Sequence, residues 1–512
     1  MSELPSGWVE VELGEVFHGN RRSSAVPAKE PDRRFELYSV PSFETGAPER
    51  LYGSEIGSAK QGVAAGSVLL CRINPRINRV WVVGEAGSDP QIASTEWVSL
   101  PRVAGITPRF AMQALRTPQV RQHLTSSVSG VGGSLMRVRM DALWRTKIPL
   151  APLPEQHRIV AKIESLFARL DEGVAALKRA EANLERYRAS VLKAAVEGRL
   201  TEQWRRENPP TETGEDLLRR ILAERRRRWE AEQLAKFEAK GRKPPKNWRA
   251  KYKEPVAPDS SGRPRLPEGW CWATVDQVSD GVHYGSSTKT SPEHEGVPVL
   301  RMGNIQDGML NLDNLKYLPP DHPEFPRLLL TAGDLLFNRT NSAELVGKTA
   351  VYPGRPNPCS FASYLIRVRL LRPHLSQVVA NALNGPHGRA WVASVVSQQV
   401  GQANVNGTKL RAFPFPLPPE TEQEEIVRQS ADAADSVTRS TEAINALLQH
   451  RATALRQSIL KRAFEGRLVP QDPADEPASV LLDRIRAERE AERKRRKPRP
   501  RNRRRQPKSR VP

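Results

Sequence analysis

The chain has 512 residues, with 80 Lys and Arg against 58 Asp and Glu and a formal charge of +22 at pH 7. That length allows several domains, and that charge makes a polyanion the leading partner class. Cys71, Cys271 and Cys359 are too scattered for a disulfide framework or zinc knuckle, no run approaches the ~20 apolar residues of a membrane span, and the first residues lack a signal-peptide pattern. A reduced, cytoplasmic compartment is the expectation.

In chain order, Leu4-Pro5-Ser6-Gly7-Trp8 opens a mixed α/β front. The β-branched runs 67–71, 79–83 and 96–100, separated by Gly, Pro and Asn, predict strands and turns. A helix is predicted over 108–124, followed by the glycine-rich loop 130–133. From Pro154 the pattern changes. Ile159, Ile163, Leu166, Leu170, Leu177, Leu184, Tyr187 and Val191 fall on alternating steps of three and four, with small Gly173 and Ala180 at two further positions. That is a heptad seam on one helix of roughly 40 residues, about 60 Å long, with Gly198 as its stop. A second amphipathic helix starts near Glu215 and ends around Gly241–Pro245. A polar, proline-rich linker then runs to Arg265.

The whole plan then repeats. Leu266-Pro267-Glu268-Gly269-Trp270 answers the opening, Glu422-Gln423 answers Glu155-Gln156, and Glu465-Gly466-Arg467-Leu468 answers Glu197-Gly198-Arg199-Leu200. Leu481 to Arg489 answers Leu217 to Arg225. The second seam, from Ile426 through Val437 and Ile444 to Ile459, is less regular and carries one extra residue. The predicted divisions are a front at 1–150, a helical back at 151–243, a linker at 244–265, a second front at 266–416, a second back at 417–495 and a basic tail at 496–512. An apolar seam without a partner would be exposed, so the two rods are expected to pack on each other. The fold class is α+β: two similar mixed domains in pseudo-twofold tandem, separated by an antiparallel coiled coil. Two related surfaces in one chain suit a nearly twofold partner, of which duplex DNA is the commonest.

No catalytic constellation is readable. Asn208-Pro209-Pro210 is followed by Thr211 rather than an aromatic, and Ser342 to Thr349 misses a phosphate-cradling loop at its first position. No metal spacing is seen among the nine His. A single-chain nuclease or methyltransferase with built-in recognition would show catalytic motifs, and a nucleic-acid-binding coiled-coil scaffold would bind indifferently to DNA sequence.

Base readout needs fork-like or amide side chains, and phosphates need cations. The loops that differ between the two fronts supply both. The first front offers Arg72, Asn74, Arg76, Asn78 and Arg79, then Ser134, Arg137 and Arg139. The second offers Ser286, Ser287 and Lys289, then Asn338, Arg339, Asn341 and Ser342. Further on it offers Gln398, Gln399, Gln402, Asn404, Asn406 and Lys409. The competing reading for any one of these is a solvated or turn-capping polar group.

The paired Leu-Pro-x-Gly-Trp openings, the segments 152–160 and 417–427, and the paired Glu-Gly-Arg-Leu ends resemble specificity subunits of type I restriction–modification systems. The resemblance covers nearly the whole chain. Leu135-Met136-Arg137 departs from the family's polar, Asn-containing segment, which the second copy keeps at 402–406. The resemblance implies two target-recognition domains, each reading one half of an asymmetric split DNA target, with the rods as a ruler. It further implies two methyltransferase subunits as partners, carrying S-adenosylmethionine, and restriction subunits carrying ATP and Mg, with no cofactor on this chain. Gln156, Arg158, Arg199, Gln423 and Arg467 are then either methyltransferase-docking residues or plain helix-packing residues.

Overall fold

The computed structural model describes residues 4–17, 24–129, 136–259, 261–293, 295–399 and 402–496. The chain divides into two compact units, Met1–Lys178 with Asn445–Pro512, and Arg179–Ile444. The division cuts both rods. Each unit therefore combines one front with the start of its own rod and the end of the other copy's.

In the first unit, Val9–Glu12 pairs antiparallel with Lys147–Leu150 and closes the front at its base. Val68–Cys71 is flanked by Val80–Val82 and Trp97–Leu100, all antiparallel, close to the predicted runs. A five-stranded sheet is ordered Ser24–Ala25, Lys60–Gly62, Gln91–Ala93, Arg34–Tyr38 and Glu49–Tyr52, and Val128–Ser129 pairs separately with Arg137–Val138. The predicted helix over 108–124 is two helices, Pro108–Leu115 and Pro118–Ser126. Pro118 lacks the N–H to continue the first and pushes Thr117 into extended backbone, φ −64° and ψ 151°.

The second unit repeats the scheme. Cys271–Thr274 pairs with Pro414–Leu417. Leu335–Asn338 lies between Thr349–Val351 and Leu365–Leu370, with Ser279–Tyr284 outside the latter. A proline again starts the second of two helices, Leu375–Asn384 and Pro386–Val395.

The first rod is a single helix, Leu153–Val196. Its seam residues Ile159 and Ile163 are fully buried and Val191 nearly so. Tyr187, expected on the seam, is 53% exposed. The second rod runs as Glu420–Ala446, a π-helical turn at Leu447–Arg451, and Ala452–Phe464. One π turn accommodates one residue without ending a helix, which accounts for the extra residue in the second seam.

Inside the first unit the rod pieces run antiparallel. Arg456 pairs with Asp171 and lies over Phe167, while Ile159, Ile163, Leu460 and Phe464 share the front's core. Inside the second unit, Ala195 packs in one cluster with Ile426 and Trp270. The second helices swap fronts as well. Leu217 and Ile221 of Gly214–Ala239 are buried in the core of the second front, and Leu481, Leu482 and Ile485 of Ala478–Arg496 in that of the first. The start of the predicted linker packs back on its helix: Trp248 is buried, stacked on Trp229 at 5.8 Å between ring centres. The predicted basic tail lies outside the described residues beyond Arg496.

Candidate nucleic-acid interface

In each front the two predicted reading loops are joined by backbone pairing. In the first, Ile73 bridges Arg137, the Asn74 N–H donates to Met136 O at 2.8 Å, and the Val138 N–H donates to Arg72 O at 2.9 Å. In the second, Thr340–Asn341 pairs with Gln402–Asn404, and the Val405 N–H donates to Arg339 O at 2.9 Å. Residues more than 60 positions apart thus form one surface in both fronts, at corresponding places of the repeat.

The first surface is organised around Glu96. Its carboxylate accepts from Arg137 at 2.8 and 3.1 Å and from Arg72 at 3.2 Å. Those charge-assisted bonds, the Arg137 bond first, hold the Glu96 carboxyl below its usual pKa against a smaller opposing effect of burial. Arg79 pairs with Glu44 at 3.2 Å and Arg139 with Asp141 at 2.7 Å. Asn74 and Asn78 both take left-handed backbone, φ 50° and 52°, around the short turn Pro75–Ile77. Asn tolerates that conformation better than most residues. Asn78 also donates its amide to Leu115 O. The turn leaves Arg76 exposed and, among the described residues, without an ion-pair partner. Ser134 and the glycine-rich loop lie outside the described residues.

The second surface contains residues the sequence reading passed over. The Arg339 guanidinium lies 4.9 Å from the ring centre of Tyr284, which is 44% exposed. The Tyr284 hydroxyl accepts the Gly407 N–H at 2.8 Å, and the Arg339 N–H donates to the carbonyl of exposed Tyr364. An arginine stacked on an aromatic is a recurrent platform for a nucleobase. Their sequence signal was an aromatic at a strand end beside a polar turn.

Several predicted members instead hold the loops in shape. Asn338 is fully buried, donating to Leu345 O at 3.4 Å, and Ser286 is buried, its hydroxyl accepting from the Thr288 N–H. As placed, neither can meet a base edge. Asn404 donates to Thr340 Oγ1, the Asn406 side chain caps Gly407–Arg411 by accepting the Lys409 N–H, and Lys409 Nζ donates to Val395 O and Ser397 Oγ. Ser342 donates its N–H to the Asn341 side chain. Ser287, Lys289 and Gln402 are exposed. The side chains of Gln398 and Gln399 lie outside the described residues.

The rod-end residues divide in the same way. Gln156 is buried, accepting from the Thr107 N–H and donating to Gly105 O and Ala151 O. Gln423 is buried and donates to Pro418 O at 2.7 Å. Both amides cap the strand-to-rod corner. Arg158 pairs with Asp475 at 2.6 Å. Arg199 and Arg467 stay exposed beside Glu197 and Glu465. Two buried carboxylates sit next to these corners: Glu155 accepts the Trp8 indole N–H, and Glu422 accepts from Trp270, Thr201 and Arg205. Burial pushes the Glu155 carboxyl up, against smaller lowering effects of Trp8 and Arg158. Among the described residues no three His, Cys, Asp or Glu gather closely enough to hold a metal ion, and no helix is long and apolar enough to cross a membrane.

No family model matches the chain. It is 27% identical over 377 residues to the Type I restriction enzyme EcoKI specificity subunit of Escherichia coli K12, covering 71% of this chain and 68% of that one. It is 24% identical over 505 residues to the EcoDI specificity subunit of Escherichia coli, covering 95% and 96%. Among solved structures, a chain described with complex assembly and conformational transition of the type I R-M system is similar in fold, with TM-score 0.63, 21% identity, and 91% and 100% coverage.

Proposed function

We propose that this chain, a DNA-specificity subunit of the type I restriction–modification class, recognises an asymmetric two-part duplex target by dedicating one front to each half. The carrying observation is the repeated pairing of reading loops, Ile73 with Arg137 and Thr340 with Asn404, on one framework with unlike side chains. The same scaffold with different hydrogen-bonding groups reads different base edges. The chain is not itself catalytic; it selects where partners act.

For the first half-site the proposed contacts are Arg76 and Asn74, with Arg72 and Arg137 presented by Glu96. For the second they are Arg339 with Tyr284, then Ser287, Lys289 and Gln402. Asn338, Ser286, Asn404 and Asn406 support these loops. Two methyltransferase subunits are the proposed companions, docking in part at exposed Arg199 and Arg467, with restriction subunits completing the cutting assembly. S-adenosylmethionine, ATP and Mg would be carried by those companions. The test is co-purification with a methyltransferase from the same source, followed by methyl transfer to duplex DNA. The complex should methylate adenine at a defined target and the chain alone should not. Transfer by the chain alone, or by the complex without sequence preference, would overturn the reading.

A further inference from the structure

The stretch from Arg225 to Lys253 contains twelve Lys and Arg but only three Glu. A charge run of this kind is ordinarily a solvated helix face. Here it is folded into a definite shape. Helix Gly214–Ala239 ends, and the chain returns along it so that Trp248 stacks on Trp229 with rings 23° from parallel. Tyr252 meets Trp229 edge-on at 5.3 Å, and the Arg226 guanidinium lies 5.4 Å from the Tyr252 ring. Arg249 covers the outer side of Trp248 at 5.0 Å. The aromatic staple fixes a return segment that would otherwise be free.

Its cations are not spent internally. Lys240, Arg242, Lys243, Lys246, Lys251 and Lys253 are exposed and, among the described residues, have no ion-pair partner. The base of the arm is tied to the reading surface of the same unit. Arg225 donates to Ser279 O and pairs with Asp276 at 3.6 Å, and Arg411 approaches the same carboxylate at 3.8 Å. Ser279 begins the strand that ends at Tyr284, about 17 Å along at ~3.3 Å per residue. Arg411 ends the short helix capped by Asn406, about 8 Å away at ~1.5 Å per residue. Both distances are within the width of one duplex.

The same place in the second copy, after helix Ala478–Arg496, is also basic in sequence, with no Asp or Glu from Arg493 to Pro512. A basic extension at equivalent positions of both copies suits a partner whose charge is uniform and twofold.

We infer that the stapled arm at 240–253 is a phosphate-backbone clamp for duplex DNA, adding sequence-independent contacts next to the half-site read by the second front. This rests on the proposed function for its partner, not for its chemistry. The arm supplies affinity and footprint rather than base choice, because free lysines on a fixed surface neutralise phosphates without reading base edges.

The test combines K243Q, K246Q, K251Q and K253Q in the full chain, purified in the assembly it forms. Binding is measured against salt on two duplexes of equal length, one carrying the mapped target and one scrambled. Each lost phosphate contact removes about 0.9 from the slope of log K against log salt, so the variant should be shallower by roughly 2 to 4 units. Affinity should fall by the same factor on both duplexes, leaving their ratio unchanged. A second variant, Trp248→Ala, keeps the cations but releases the segment, and should weaken both duplexes severalfold. Wild-type slope and affinity in a lysine variant that melts like the parent would overturn the inference. So would intact DNA binding with lost assembly, which would make the arm a protein-docking surface. If the parent itself shows no preference for the target duplex, the specificity reading fails while the slope still judges the arm.

Discussion

The indole N–H of Trp270 donates to the buried carboxylate of Glu422 at 2.8 Å, and the Trp8 indole makes the same bond to Glu155 at 2.9 Å. Each bond ties the opening of a front to the start of its rod. The Glu422 carboxylate also accepts from Thr201 and Arg205, on the segment just after the other rod. Glu155 keeps one oxygen without a partner among the described residues.

The two corners should therefore respond differently to loss of charge. Glu422→Gln leaves Arg205 without its carboxylate in a largely buried site, and is expected to cost about 3 kcal/mol. Glu155→Gln keeps an acceptor for Trp8 and removes a poorly compensated charge, so it should cost under about 1 kcal/mol at neutral pH. Thermal unfolding of both variants checks the order, and an equal loss would contradict it.

The elevated Glu155 carboxyl also sets a pH dependence. A group whose folded pKa is raised contributes stability that is complete below the unfolded carboxylate range and lost as pH rises through the folded pKa. Glu155→Gln removes that loss. Its melting temperature should gain on the parent as pH climbs above the ordinary carboxylate range, and a gap that narrows instead would refute the assignment.

Gly198 and Gly466 end the rods with positive φ, +67° and +68°, where an added Cβ would run into the rings of Pro267 and Pro5. Gly198→Ala and Gly466→Ala should each destabilise by roughly 1–3 kcal/mol through strain and clash together. Chemical unfolding of the two variants is the check.

Freeing the first reading surface from Glu96 gives a DNA prediction. Glu96→Gln should leave Arg72 and Arg137 without their shared counter-charge, raising affinity for scrambled duplex and steepening its salt slope by about one or two units. Discrimination at the first half-site should fall, while the second stays read. Conversely, Tyr284→Ala with Arg339→Ala should cost about 1–3 kcal/mol at the second half-site only. Competition binding with each half-site altered in turn separates these outcomes.

Much of this architecture is legible in the sequence because it is written twice. The strand around Leu69 stands out as an apolar run, Val68 to Cys71, and the one-residue excess of the second seam appears as the π turn at Leu447–Arg451. What stayed hidden depends on burial at corners. Gln156 and Gln423 recur in both copies, and their sequence leaves docking and packing equally open; burial decides for packing, because each lies inside and satisfies backbone carbonyls. Asn338 reads as a polar loop residue, but it closes a buried strand. Tyr284 carries no motif that marks it, but the strand ends there and leaves the ring half in solvent. Nor does the sequence reveal that each front shares its core with the other copy's second helix, since that pairing is made only in three dimensions.

The most direct measurement is a map of methylated adenines across the source genome, with and without this gene. The account predicts one motif that vanishes on deletion, made of two unlike specified halves around an unspecified spacer, and loss of specificity at only the second half when Arg339 and Tyr284 are replaced. A single uninterrupted motif, a symmetric one, or a map unchanged by deletion would contradict it.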